Sequence, residues 1–221
     1  MKKILVIAPH PDDETIGCGG TLLRHKSKGD LISCILTTKL KPNKVWNKET
    51  VFKKEKEIEK VKKIYKFKFF ERLDFLPREL DNLPLSLIIS KISNLLDKIK
   101  PEIIYIPYIY DVHTDHQIIS KAAISSTKWF RSNYIKKIYM YETLSETNFN
   151  FSQEFSFQPN VFIDISKFLK KKLEIFRCYK TEFKKHPFPR SEEAIKALAT
   201  LRGSQSGFKA AESFKLIFNK K

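Results

Sequence analysis

The sequence contains little cysteine, glycine and arginine. Its 221 residues include only three cysteines and six glycines. Cys18, Cys34 and Cys178 are too few and too scattered for a disulfide framework, and they lack the paired spacing of a thiolate zinc site. Hydrophobic residues make up 42% and aromatic residues 13% of the chain, which excludes a disordered protein and a collagen-like repeat. We therefore expect a globular protein of a reducing compartment, the cytoplasm.

Long hydrophobic runs are also lacking. The longest nearly apolar stretch, residues 103–110, contains Pro107 and is much shorter than the roughly 20 residues that span a membrane. At the start of the chain, five apolar residues precede Pro9, whereas the core of a secretory signal needs roughly 7–15. We expect no transmembrane segment and interpret residues 3–8 as a buried strand.

Acidic residues are outnumbered, with 25 Asp and Glu against 42 Lys and Arg, for a net charge of +17. Such an excess is typical of proteins that bind nucleic acids or other anionic polymers. However, only seven of the basic residues are arginine, the residue that makes base contacts and bidentate phosphate contacts. The abundance of Lys, Ile, Phe and Asn matches AT-rich codon usage instead. We expect no nucleic-acid partner, and a basic, non-catalytic protein for anionic polymers stays an alternative.

Strand and helix patterns alternate along the chain. Strands are predicted at residues 3–8, 30–37, 67–70, 102–107, 137–141 and 160–165, and helices at 19–28, 48–66, 85–99, 114–131, 166–178 and 191–203. Residues 211–218 fit either structure. The early strands are apolar throughout, which is typical of a parallel sheet covered by helices on both faces. The pattern predicts an α/β fold in a single domain that spans residues 1–221.

Two segments are rich in side chains that bind metals. The sequence Pro-His-Pro-Asp-Asp-Glu at 9–14 follows the first strand, and Asp-Val-His-Thr-Asp-His at 111–116 follows the fourth. Parallel strands have their carboxyl ends at one edge of the sheet, so we expect the two segments to meet. His10 and Asp13 are three residues apart in a turn, and His113 and His116 are three apart at a helix start. Each pair can therefore face one point.

His10, Asp13 and His116 would form the three-ligand, open site of a catalytic zinc. Asp12 and His113 would then face the substrate or support the ligands. A carboxylate beside a metal-activated water can take its proton, and a histidine on the far side can stabilise an oxyanion. The pattern predicts metal-assisted hydrolysis of an amide or an ester.

Either segment by itself has a simpler explanation, because an aspartate, His113 or Asp115 could merely cap a loop or helix.

Gly17, Gly19 and Gly20 indicate a backbone that passes close to the metal or substrate. They could also belong to a dinucleotide loop, but the full Gly-x-Gly-x-x-Gly spacing is absent and the preceding aspartates would repel a pyrophosphate. A phospho-receiver domain has an acidic pair after its first strand, but it is much shorter. Both motifs together favour the metal site.

The two motifs resemble those of one enzyme family. Pro-His-Pro-Asp-Asp-Glu-Thr at 9–15, Gly-Cys-Gly-Gly-Thr at 17–21 and Asp-x-His-x-Asp-His at 111–116 are similar to the motifs of the PIG-L (LmbE-like) N-deacetylases. Segments 76–80 and 202–214 are similar to weaker motifs of the family. The resemblance implies a Rossmann-like, mostly parallel sheet. It also implies one Zn²⁺ per chain, bound by His10, Asp13 and His116. Because His and Asp ligands suit several metals, Fe²⁺ is an alternative.

The same resemblance implies roles for three further residues. Asp12 would be the general base. His113 would stabilise the tetrahedral oxyanion or protonate the departing amine, and Asp115 would orient His113.

The resemblance further implies a substrate class. The family removes the acetyl group from an N-acetylated amino sugar of the N-acetylglucosamine type, free or linked to a nucleotide, lipid or thiol, by attack of metal-bound water. A hydrolase of another amide or ester with the same metal site remains an alternative, and a homo-oligomer is compatible with the sequence.

Two positions depart from the family pattern, which often has aspartate where this chain has Arg78 and tyrosine where it has Ala210. Arg72, Arg78 and Arg190 are candidates for contacting a phosphate or carboxylate of the substrate, or else they are surface or structural residues.

Overall fold

The computed structural model describes all of residues 1–221. Its strands are β1 (Lys3–Ala8), β2 (Leu31–Thr38), β3 (Phe70–Phe75), β4 (Ile103–Pro107), β5 (Lys137–Tyr141), β6 (Val161–Asp164) and β7 (Ala211–Asn219). Its α-helices are α1 (Asp13–Ser27), α2 (Lys48–Tyr65), α3 (Leu85–Ile99), α4 (Thr114–Ser126), α5 (Leu169–Phe176) and α6 (Glu192–Ser204). Among these helices, none combines the length and the apolar character that crossing a bilayer requires.

All seven strands belong to one sheet, in the order β3-β2-β1-β4-β5-β7-β6. Strands β1 to β5 are parallel, β7 is antiparallel to β5, and β6 is antiparallel to β7. The predicted α/β class with a Rossmann-like, mostly parallel sheet is confirmed. After β1 the chain continues to β2 and β3 on one side, and β4 and β5 lie on the other. Strands β1 and β4 therefore flank the point where the strand order reverses, which is the usual ligand site of such sheets.

Alternate side chains of β1 enter two separate apolar layers. Ile4 and Val6 pack in the layer formed with α1, α2 and α5, and Leu5 and Ile7 pack in the layer formed with α3 and α4. All four side chains are completely buried. Because a strand alternates its side chains with a period of two, only a strand that is apolar throughout can sit between two layers of helices.

Two helix boundaries differ from the sequence prediction. Helix α1 begins at Asp13 rather than at residue 19, because a first helical segment precedes a kink at Cys18 (φ −144°). Helix α4 ends at Ser126 rather than at residue 131. The Ser126 hydroxyl donates to the Ala122 carbonyl and the Thr127 hydroxyl to the Ile124 carbonyl. The Thr127 N–H also bonds to the Ile124 carbonyl, at 3.1 Å, so the carbonyl that the Lys128 N–H would need is already occupied and residues 128–131 lie outside α4.

Two further elements are shifted. Strand β3 spans residues 70–75 rather than 67–70, and Phe70 is the residue that pairs with Cys34 of β2. Helix α5 begins at Leu169, and Ser166 does not cap it. The Ser166 hydroxyl instead donates to Asp164 Oδ1 at 2.6 Å. The ambiguous segment at 211–218 is the strand β7, which the β5 and β6 edges stabilise through antiparallel pairing.

The glycines of α1 allow close packing of the helix and not close approach to a ligand, so that expectation was wrong. A Cβ added at Gly17 would lie 2.3 Å from Cδ2 of Tyr141, and one at Gly20 would lie 2.7 Å from Cγ2 of Ile165. Real Cβ atoms do not approach other atoms so closely. The Tyr141 ring is completely buried and its hydroxyl donates to the Ile7 carbonyl at 3.0 Å, so the ring has little room to move.

We expect Gly17→Ala to lower the free energy of unfolding by about 1–2 kcal/mol. Overpacking costs roughly 1–3 kcal/mol, which exceeds the gain in helix propensity of up to about 1 kcal/mol. Urea denaturation measures the difference. Ser27→Ala, at the exposed end of the same helix, is the control and should leave stability nearly unchanged. A Gly17→Ala protein as stable as the unchanged one would show that Tyr141 can move aside.

Candidate active site

The two predicted ligand segments meet at the carboxyl edge of the sheet. His10 follows β1 and His116 lies in the first turn of α4, which follows β4. The ring centroids of His10 and His116 are 5.4 Å apart, and those of His10 and His113 are 4.5 Å apart. Their convergence follows from the adjacency of β1 and β4, because neighbouring parallel strands deliver their following loops to one place.

Asp13 lies between two imidazoles. Its Oδ2 is 3.4 Å from His10 Nδ1 and 3.2 Å from His116 Nε2, and it accepts the backbone N–H of His10 at 2.8 Å. Each imidazole uses its other nitrogen for a second carboxylate. His10 Nε2 lies 2.8 Å from Asp115 Oδ2, and His116 Nδ1 lies 2.8 Å from Asp111 Oδ2. All three carboxylates are buried.

This arrangement fits a divalent cation. One ligand atom from each of His10, Asp13 and His116 lies within 4.8 Å of the others. His116 Nε2 is buried without a hydrogen bond, since the contact with Asp13 lacks hydrogen-bond geometry, and such an orphaned nitrogen suits a metal. Imidazole and carboxylate donors suit Zn²⁺ and Fe²⁺, and a carboxylate on the far nitrogen is what usually orients a ligating histidine.

His10, His113 and Asp115 form a second, overlapping group of ligand atoms. There, Asp115 Oδ2 already accepts hydrogen bonds from His10 Nε2 and from the backbone N–H of Arg78, both at 2.8 Å. Asp115 Oδ1 is buried without a partner, but Nδ1 of His113 already accepts the Asp115 backbone N–H. We prefer the group that contains Asp13, because it includes the buried, unpartnered Nε2 of His116.

The pKa values of the residues in this cluster are strongly shifted by burial and by one another's charges. Burial lowers the pKa of His10, but the hydrogen bonds with Asp115 and Asp13 outweigh it and raise the pKa to about 9. Burial likewise opposes the charged form of His116, and the Asp13 charge and the Asp111 hydrogen bond raise its pKa well above the usual value. Burial favours protonation of Asp13, but the His116 charge and the His10 contact lower its pKa. The cluster therefore holds charges that compensate each other.

His113 differs from the other two histidines. Burial and repulsion from His10 and His116 lower its pKa to about 4, so it is neutral near pH 7. It is the N-cap residue of α4, and its Nδ1 accepts the backbone N–H of Asp115 at 3.1 Å. The orienting contact thus comes from the Asp115 backbone, whereas the Asp115 carboxylate bonds to His10.

Asp12 directly precedes α1 in a strained backbone conformation, with φ 115° and ψ −28°. Its residue is 1% exposed. Its one side-chain hydrogen bond comes from Nη1 of Arg190, at 3.3 Å from Oδ2. Burial and the Asp13 charge raise the pKa of Asp12, and the charges of Arg190 and Lys54 oppose that rise.

A cleft of about 250 Å³ opens over the cluster. It is lined by both motifs and by all three candidate arginines. Arg72 is paired with Glu55 at 2.5 Å, and Arg190 is bonded to Asp12. The guanidinium of Arg78 has no carboxylate partner, and it lies 5.8 Å from the ring centroid of Trp46.

Asp111 and Glu182 are two further site residues, and no role is predicted for either from the sequence. Asp111 accepts hydrogen bonds from His116 Nδ1 and, at 2.6 Å, from the Thr147 hydroxyl, so it supports His116 from behind. Its place five residues before His116 in the second motif was an available signal. Glu182 lines the cleft from a loop, where no periodicity or motif marks it.

Zinc binding should release protons. The pKa of His10, about 9, lies above neutral pH, so its imidazole is protonated before binding and must lose that proton to act as a ligand. We expect about one to two protons released per Zn²⁺ at pH 7, and an affinity that rises with pH and levels off above pH 9. Calorimetry in buffers of different ionisation enthalpy measures this number.

His25 provides the control, because it bonds to Asp30 and Tyr105 outside the cluster. His25→Gln should keep both the affinity and the proton release, and His116→Gln should lose high-affinity binding. If the unchanged protein, His25→Gln and His116→Gln all bind Zn²⁺ with equal affinity, the metal site lies elsewhere.

Comparisons with known proteins place the chain among its relatives. Residues 5–127, which include both motifs, match the family model of PIG-L, GlcNAc-PI de-N-acetylase. Diacetylchitobiose deacetylase from Thermococcus kodakarensis is 26% identical over 231 residues, covering 98% of this chain and 84% of that protein.

Two crystal structures are similar in fold. A conserved protein from Thermus thermophilus has 26% identity and a TM-score of 0.80, covering 100% of this chain and 97% of that one. N,N'-diacetylchitobiose deacetylase from Pyrococcus horikoshii has 22% identity and a TM-score of 0.78, covering 98% of this chain and 84% of that one. Since the family model spans more than half of the sequence, the chain belongs to the PIG-L (GlcNAc-PI de-N-acetylase) family.

Proposed function

We propose that the protein is a metal-dependent hydrolase that removes the acetyl group from an N-acetylated amino sugar of the N-acetylglucosamine type, or from its conjugate. The convergence of His10, Asp13 and His116 beside the buried carboxylate of Asp12 carries this proposal. Membership of the PIG-L family and the similarity to a diacetylchitobiose deacetylase support it.

His10, Asp13 and His116 would hold the cation, Zn²⁺ or Fe²⁺. When bound, such a cation lowers the pKa of water and polarises a carbonyl oxygen. Asp12 faces the same cleft and would accept the proton of the attacking water. A C–O bond forms, the amide C–N bond breaks, and the amine leaves with a proton, so the products are acetate and the free amino sugar.

The geometry of His113 supports an oxyanion-stabilising role. Because its Nδ1 accepts the Asp115 backbone N–H, the neutral ring carries its proton on Nε2. With a pKa of about 4, the ring is a neutral hydrogen-bond donor throughout the neutral pH range. A donor fixed before the reaction stabilises developing negative charge without reorganisation.

The substrate class is tested by activity on a panel of compounds. The purified protein, stripped with a chelator and then reloaded with Zn²⁺ or Fe²⁺, is incubated with N-acetylglucosamine conjugates that are neutral or that carry a phosphate or carboxylate. We expect release of free amine only from the reloaded protein. An anionic group that complements the unpaired Arg78 should lower KM. Turnover that survives full chelation would exclude the metal mechanism, and preference for esters or non-sugar amides would replace the substrate class.

Asp12→Asn tests the proposed base. The amide has nearly the same shape but cannot accept the proton, so kcat should fall by about 10²–10⁴-fold while metal content stays the same. Free-amine release and elemental analysis measure the two quantities. Asp30→Asn, which alters a carboxylate that bonds to His25 outside the cleft, is the matched control. Undiminished turnover by Asp12→Asn would remove Asp12 from that role.

A further inference from the structure

Arg190 reaches Asp12 from a distant part of the chain. It lies in the irregular segment between α5 and α6, just before Ser191, the N-cap of α6. Its Nη1 is 3.3 Å from Asp12 Oδ2 and its Nη2 is 3.1 Å from Glu182 Oε2. The guanidinium therefore bridges two carboxylates. Arg190 is the sole side chain that hydrogen bonds to the Asp12 carboxylate, which is 1% exposed.

Arg190 is itself held in place by a chain of charges. Glu182 bonds through its other oxygen to Lys54 of α2, and Lys54 also donates to the Thr181 hydroxyl at 2.8 Å. The Thr181 hydroxyl donates to Glu57 of the same helix at 2.9 Å. The Lys54 side chain is 7% exposed and the Glu182 side chain 23%, so this pair is partly shielded from solvent. The segment that carries Arg190 is thereby tied to α2.

The contact leaves one oxygen of Asp12 free of protein partners. Arg190 bonds to Oδ2, and no protein hydrogen bond is made to Oδ1. A hydrogen bond to one oxygen fixes the orientation of a carboxylate, and the other oxygen can still receive a proton. Asp12 needs such a restraint from elsewhere, because its own backbone is in a left-handed conformation that aspartate adopts only with strain.

We propose that Arg190 is a positioning residue that orients the Asp12 carboxylate for proton transfer, and that Glu182 and Lys54 hold Arg190 for that purpose. This inference rests on the proposed function, in which Asp12 accepts the proton. It replaces the interpretation of Arg190 as a substrate-binding cation, since both terminal nitrogens of its guanidinium already bond to carboxylates of the protein.

Arg190→Ala, compared with Arg190→Lys, tests the inference on the metal-loaded protein. We expect kcat to fall by about 10- to 100-fold for Arg190→Ala, because a misplaced catalytic group costs up to about 10²-fold, with KM and metal content unchanged. Guanidinium added to the assay should restore part of the lost kcat. Arg190→Lys should recover less than full activity, because an ammonium cannot bridge both carboxylates.

Arg177→Ala is the matched control. Arg177 lies in the same part of the chain, is 49% exposed, and pairs with Glu192 at 2.5 Å outside the cleft. Its replacement should leave kcat and KM unchanged and should give no response to guanidinium.

Glu182 tests the second link. If Glu182 acts through Arg190, Glu182→Gln should lower kcat without changing KM. The double variant Glu182→Gln/Arg190→Ala should then have the same kcat as Arg190→Ala. If instead the fold-losses in kcat of the two single variants multiply in the double variant, Glu182 does not act through Arg190. The conservative Gln keeps an acceptor for Lys54, which limits any loss of folding.

Several results would overturn the proposal. A rise in KM with unchanged kcat would make Arg190 a substrate contact. Full activity of Arg190→Ala would show that Arg190 has no role in catalysis. If added guanidinium and Arg190→Lys both fail to restore kcat, and the melting temperature of Arg190→Ala is lower, the role of Arg190 is merely structural. In each case Asp12→Asn is measured alongside. An inactive Asp12→Asn leaves the role of Asp12 as the base standing. An active one ends that role and the positioning role of Arg190 with it, while free-amine release from the substrate panel tests the deacetylase activity separately.

Discussion

The Asp13 carboxylate between the imidazoles of His10 and His116 is the interaction on which the rest of the site depends. It joins the loop after β1 to the start of α4, and each imidazole is backed by another carboxylate, Asp115 or Asp111. Isolated buried charges are costly, and here they are paired instead. The Nε2 of His116 is buried without a hydrogen bond, so a bound cation would satisfy a nitrogen that the protein leaves unpartnered.

The sheet topology makes this interaction available. Because β1 and β4 are neighbours at the point of strand reversal, α1 and α4 both begin at the same edge, and their N-termini favour negative groups such as Asp13 and Asp115. Close packing of α1 against Tyr141 and Ile165 requires glycine at positions 17 and 20. The glycines thus serve the site indirectly, by letting the helix that carries Asp13 lie close to the sheet.

The opposite wall of the site is built differently. Lys54, Glu182 and Arg190 come from a helix and an irregular segment, and they alternate in charge up to Asp12. Irregular segments often carry functional side chains that a rigid scaffold positions. Here the side chains hold one another by charges of alternating sign, from the buried Lys54 through the partly exposed Glu182 and Arg190 to the buried Asp12. Arg72 pairs with Glu55 and Arg190 with Asp12 and Glu182, so Arg78 is the one candidate arginine in the cleft whose guanidinium has no carboxylate partner.

The sequence by itself determined the α/β class, the parallel strands and the meeting of residues 9–14 with residues 111–116, because buried strands and ligand-rich strand ends are local patterns. Element ends were less predictable: α4 stops at Ser126 because the N–H and the hydroxyl of Thr127 both bond to the Ile124 carbonyl. Only the tertiary structure decided that Asp115 bonds to His10, that Asp111 supports His116 and that Arg190 reaches Asp12. The His10–Asp115 and Asp12–Arg190 contacts join residues that are 105 and 178 positions apart along the chain, and only packing brings them together. For Asp111, the spacing to His116 indicates proximity, but the hydrogen bond itself is visible only in the structure.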